Sequence, residues 1–200
     1  KDEEPPHKVY LDAFWMDQTE VTNAMYAKCV DAGRCNPPND TKSYTHPNYY
    51  GNSEFDNYPV VHVNWEMAKS YCKWRGAQLP TEAQWEKAAR GTDGRTYPWG
   101  EEEIDNTNTN YGNYGGDTGP VGSYEKGKSV YGVYDMIGNG GEWVADWFSD
   151  TYYENSPSSH PLGPSSGILG GARGGRTYTR HADIRGGHSP FSSFRCARSE

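Results

Sequence analysis

The stretch Asp135–Trp147, DMIGNGGEWVADW, decides the reading of this chain, because it sets two carboxylates on either side of a glycine-rich turn and then runs into an apolar strand. Asp135 and Glu142 supply hard oxygens, the donor type calcium selects when it gathers about six to eight ligands. Gly138, Gly140 and Gly141 can take backbone angles closed to other residues, so carbonyl oxygens between the two acids could turn inward. From Glu142 the pattern alternates, with Trp143, Ala145 and Trp147 on one strand face and Val144 and Asp146 on the other. An ordinary glycine turn before a strand, with no ion, is the alternative.

Outward from this stretch, the chain punctuates itself clearly. Thr81-Glu82-Ala83-Gln84 is a capping box, so a helix is expected over 82–90, ended by Gly91. Asn64 caps a second helix running to Arg75, with Gly76 as its exit, and its apolar spacing gives one buried face. Thr22 caps a third over Asn23–Ala32, stopped by Gly33, and Val9–Asp17 precedes it as a strand. Asn36–Tyr58 is polar and Tyr-rich without period, and reads as a long irregular loop. The last 50 residues show no helical period.

Composition agrees with a loop-rich chain. The 200 residues hold 24 Gly, 13 Pro, 16 Tyr and 7 Trp, with a mean hydropathy of -0.99, which describes a body that buries large aromatic plates and spends much of its length in turns. One domain over 1–200 is expected, and Lys1 in place of an initiator Met reads as a segment of a longer chain. No apolar run approaches the roughly 20 residues that span a bilayer, so no membrane insertion of this segment is expected. The formal charge of -8 argues against nucleic acid as a partner. From Asn155 onward, however, Arg173, Arg176, Arg180, Arg185, Arg195 and Arg198 face only Asp183 and Glu200. This basic end is expected to pair with the acidic body, an anionic partner being the alternative, with Arg173 and Arg195 in structural roles.

Four cysteines permit three pairings. Cys29 and Cys35 flank Gly33 as a reachable local bridge, and Cys72 and Cys196 could tie the carboxyl end to a helix. Two disulfides would favour an extracellular or cell-surface setting, and four reduced thiols would point to the cytosol.

Seven ordered blocks then agree: EVTNAMY (20–26), PVVHVNWEMAKSYCKWRG (59–76), LPTEAQWEKAARG (79–91), YPWG (97–100), PVGSY (120–124), YGVYDMIGNGGEW (131–143) and FRCAR (194–198). Together they resemble the formylglycine-generating enzyme (sulfatase-modifying factor) family over nearly the whole chain. The resemblance implies a C-type-lectin-like α+β fold with few helices and short antiparallel strands. It implies one or two calcium ions, the first on the side chains of Asp135 and Glu142 with the carbonyls of Gly138 and Gly140. The second would use Asn110, the carbonyl of Tyr111, and Asp117. It also implies the Cys72–Cys196 pairing.

The chain departs from that family where the chemistry sits. The enzymes hold copper with two thiolates placed after an RGGS-like turn. Here the turn is Arg173-Gly174-Gly175-Arg176, and no cysteine lies between Cys72 and Cys196. Hydroxyls and guanidinium groups do not hold soft copper(I), so no copper and no catalysis of the family type are expected. His181 and His188, seven apart, do not make a helix-borne metal pair. Gly141 stands where an aromatic is usual, and Ser193 departs from the usual small residue before FRC.

Residues 176–193, RTYTRHADIRGGHSPFSS, draw on only eleven residue types, all reachable from AAC or AAT codons by changes at adenine. Diversity-generating retroelements mutate adenines in this way, and their variable proteins resemble this fold, with variation just before the final strand. Chance composition in a surface loop is the alternative. The expected function is therefore non-catalytic binding of a protein or other macromolecular ligand. The contact surface would comprise Arg176, Tyr178, Arg180, His181, Asp183, Arg185, His188 and Phe191 beside Gly141, where rings and forked donors give wide contact at low entropy cost. An enzyme with altered chemistry and a sensor domain of a larger signalling protein are the other readings.

Overall fold

The computed structural model describes residues 4–110, 116–174 and 180–200. The fold is α+β and loop-rich, as expected. Strand β1 (Phe14–Met16) is followed by helices α1 (Asn23–Asp31), α2 (Trp65–Trp74) and α3 (Glu82–Arg90). Strands β2 (Gly141–Trp147), β3 (Leu169–Arg173), β4 (His181–Ile184), β5 (Ser192–Ser193) and β6 (Ala197–Ser199) follow. The expected strand over Val9–Asp17 shrinks to three residues because its partner β6 offers only three, pairing Phe14 with Ser199 and Met16 with Ala197.

All three helix caps act as their sequences dictate. Thr22, Asn64 and Thr81 accept from the backbone N–H three residues on, and at α3 the Gln84 side chain reciprocates. Gly33 and Gly76 take positive φ just past α1 and α2, where a side chain would be strained.

The main sheet has the order β4-β3-β2-β5, antiparallel except for the parallel β2–β5 pair. Both faces of β2 are covered, and Trp143 and Val144 divide between them as the expected alternation requires. Trp143 packs with Tyr26, Val63, Tyr71 and Phe194. Val144, one residue on, packs with Trp85, Ala88 and Ala89 of α3, together with Met136. A third cluster of Tyr49, Phe55 and Val61 gives the irregular 36–58 segment its own anchor. Each buried indole finds an acceptor: Trp65 donates to the Val144 carbonyl (2.7 Å), Trp143 to that of Val63 (2.9 Å) and Trp85 to Glu142 (3.0 Å).

Both disulfides form, Cys29–Cys35 and Cys72–Cys196. The second joins α2 to the segment entering β6, and no cysteine is left free.

Candidate ligand-binding pocket

A cavity of about 340 Å³ opens where the turn before β2 meets the ends of β3, β4 and β5. Its floor is backbone: Gly138, Asn139, Gly140 and Gly141 from the turn, with Gly116 and Gly174. Gly138 donates to the Gly174 carbonyl (2.9 Å) and Gly141 to that of Phe191 (2.7 Å). Glycine is required for the closest approaches. Gly138 has a φ of 77°, and a Cβ there would stand 2.6 Å from the Asn110 carbonyl oxygen. His181 and Phe191 supply the walls, and Tyr44 lies against Phe191 with ring centroids 5.5 Å apart.

Asn110, Asp117 and Asn139 complete the lining as a hydrogen-bonded set. Asn139 Oδ1 accepts from Gly119 N (2.7 Å) and Asn110 Nδ2 (3.0 Å), and the same Asn110 nitrogen donates to the Asp117 carbonyl. Asp117 accepts from Ser43 Oγ (2.6 Å), Thr45 N (2.7 Å) and Thr45 Oγ1 (2.6 Å). Burial pushes its pKa up, but these donors outweigh burial and hold the carboxyl below its usual range. Asn110 Oδ1 and Asn139 Nδ2 are buried without partners.

The residues expected to hold calcium are split between two places. Gly138 and Gly140 belong to the pocket floor, but the Glu142 carboxylate is fully buried against Arg195, with contacts of 2.7 Å and 2.6 Å, and against Trp85. Asp135 accepts from Gly122 N (2.6 Å) and sits beside Glu20, whose carboxyl is raised well above the usual range by burial and then by Asp135. Glu142 thus has a guanidinium where the loop reading put an ion, and the first calcium set does not fit as written. No cluster of three or more acidic, His or Cys side chains among the described residues is arranged to hold a metal. Of the second set, Asn110 offers one open hard oxygen, Asp117 is engaged with the 43–45 loop, and Tyr111 lies outside the described residues.

The contact residues expected from sequence also divide. His181 and Phe191 line the pocket, and Asp183 and His188 are exposed near it in sequence. Arg180 is instead buried, paired through both oxygens of Glu82 (2.8 and 2.9 Å) and stacked on Phe148 and Tyr153. Arg173 joins it on Glu82 and reaches Glu86 (2.9 Å). Arg185 is clamped between the rings of Trp65 and Trp147, 3.6 and 3.4 Å from their centroids, and donates to the Ala145 carbonyl. Arg180 is not presented for contact because it satisfies a buried acid, and Arg185 is held half-buried by its aromatic pair. Arg176 and Tyr178 lie outside the described residues. Sequence reasoning missed Asn139, Gly174 and Tyr44. Asn139, the polar residue inside the glycine run, was the one with a legible signal.

A model of the sulfatase-modifying factor enzyme 1-like domain matches residues 1–200. The chain is 36% identical to the serine/threonine-protein kinase Pkn1 of Chlamydia trachomatis serovar L2, covering 99% of itself but 35% of that protein. The chain therefore spans about a third of that kinase's length. It is 32% identical to the formylglycine-generating enzyme of Streptomyces coelicolor, covering 98% of itself and 81% of the enzyme. Among solved structures, Treponema denticola variable protein 1 superposes with a TM-score of 0.82 at 22% identity, over 100% of this chain and 89% of that one. That likeness concerns the fold, which is the C-type-lectin-like fold expected from the motifs. On the family match and the identity shared with the Streptomyces enzyme, the chain belongs to the sulfatase-modifying factor (formylglycine-generating enzyme) family.

Proposed function

We propose that this domain binds a macromolecular ligand, most simply a protein segment, across the pocket and the adjoining 181–191 loop, and does so without turnover. One observation carries the reading. The pocket places His181 and Phe191 over a bare glycine floor, while every cysteine of the chain is tied up in a disulfide. A copper-thiolate reaction has no sulfur to use, whereas a cavity without side chains on its glycine floor, walled by an imidazole and an aromatic ring, gives room for the side chain of a bound polypeptide. The likeness to Treponema denticola variable protein 1 and the restricted composition of 176–193 support a diversified contact loop. The paired cysteines support an oxidising setting outside the cell. Calcium enters the reading only at Asn110, whose buried Oδ1 is a hard donor without a partner.

The test has two arms. Selection from a displayed peptide library should enrich ligands for the wild-type domain that bind the Phe191→Ala and Gly141→Trp variants at least tenfold more weakly. Incubation with copper and a cysteine peptide should yield no aldehyde. Aldehyde formation, or ligands indifferent to both substitutions, would refute the proposal. A second reading, a sensor module within a larger signalling protein, is favoured by the likeness to one part of Pkn1. It differs in context rather than in the pocket.

A further inference from the structure

His62 lies away from the residues assigned above and is built unlike an ordinary core histidine. Its backbone has a φ of 58°, a left-handed conformation that is strained for a non-glycine residue. Its side chain is buried, with the residue only 4% exposed. Neither ring nitrogen meets a hydrogen-bond partner in the protein. Leaving a buried imidazole without partners is costly, so strain and an unmet donor at one residue call for a compensating contact.

The neighbour is His188, exposed on the segment leading to the pocket. The two rings are 5.8 Å apart, centroid to centroid, at 60°. Two imidazoles on one tetrahedral metal at about 2.0–2.1 Å would place their centroids about 5–6 Å apart, the metal lying between ring edges. The backbone already holds the two histidines together: His62 N donates to the Ser189 carbonyl (3.0 Å) and Trp65 N to that of Arg185 (3.1 Å). Asp40, the nearest acid to His62 in charge terms, is paired with Lys42 at 3.0 Å.

We infer that His62 and His188 form a two-histidine site for a late first-row divalent ion such as zinc, water completing the coordination. Imidazole selects zinc, copper or nickel over calcium. An ion there would add a third link between the 62–65 segment and the 185–189 segment, pinning the loop that ends in Phe191. The inference stands independently of the proposed ligand binding.

Calorimetric titration of the intact chain with zinc chloride should show one saturable site that excess calcium does not displace. His188→Ala, an exposed position that leaves folding untouched, should weaken it at least tenfold. His181→Ala should leave it unchanged. In nuclear magnetic resonance spectra the ring protons of His62 and His188 should shift together with one equivalent of zinc. Absence of saturable binding, equal affinity in His188→Ala, or a response of His188 without His62 would each overturn the site.

Discussion

Gly141 has no side chain where the pocket opens, and the space can accept one. A Cβ there would meet Phe191 O at 3.5 Å and Arg173 O at 3.9 Å, which is ordinary contact. Gly141→Trp should therefore fill the cavity while shifting Tm by no more than a few degrees, as scanning calorimetry would show. Gly138→Ala, with its positive φ and backbone contact at 2.6 Å, should unfold readily. Asp146 is a different residue-scale case. Burial, reinforced by Glu82, raises its pKa to about 7, while it accepts from Glu82 N at 2.7 Å. A carboxyl raised in the folded state gives stability that is full below about pH 4 and lost as pH climbs through about 7. Urea unfolding at pH 5 and pH 8 should find the wild type losing on the order of 2 kcal/mol more than Asp146→Asn. If Asn110 holds calcium as proposed, EGTA should lower the wild-type Tm by several degrees and leave Asn110→Ala unmoved, since an ion bound only by the folded state stabilises it by mass action, and an unchanged wild-type melt would remove calcium from the proposal.

At the scale of elements, ion pairs tie α3 to the sheet. Glu82, in the first turn of α3, receives Arg173 from β3 and Arg180 from the start of β4. Replacing Arg180 with Ala should cost about 3–5 kcal/mol, because a buried carboxylate loses its bidentate partner; equilibrium denaturation measures it. Retention of full stability would mean that Arg173 alone satisfies Glu82. The helices were legible because capping is local: Thr22, Asn64, Thr81 and Gln84 each act within one turn. The roles of Arg180 and Arg185 were not legible. A guanidinium in a loop looks like a contact residue until the fold brings Glu82, 98 positions away, or the rings of Trp65 and Trp147 against it. Glu142 was misread for the same reason, as its partner Arg195 is 53 positions distant. The pocket was half legible, since the Gly138–Gly141 floor is contiguous, whereas Tyr44 and Gly174 arrive from other segments.

For the molecule as a whole, the expected pairing of a basic end with an acidic body is realised in Arg173, Arg180 and Arg195. The Cys72–Cys196 bridge closes a span of 124 residues, worth about 5 kcal/mol if disulfides act by restricting the unfolded chain. A frame held by these distant links does not depend on the identity of exposed loop side chains, which is the condition for sequence variation at the pocket rim. Coding sequences of close relatives should accordingly vary at adenine-derived codons within 176–193, Arg180 and Arg185 excepted because they are held by Glu82 and by Trp65 and Trp147, and stay uniform at Arg173, Glu82 and Glu142. Uniform sequence through 176–193 would remove diversification from the account. The pairing of β1 with β6 carries a separate consequence. Phe14 lies opposite Ser199, so the chain enters and leaves the body side by side, an arrangement that lets a host protein carry the whole unit as an insert within one of its own loops. A circular permutant, with a short flexible linker joining the present ends and new ones opened between the exposed Ser165 and Ser166, should fold and keep its pocket.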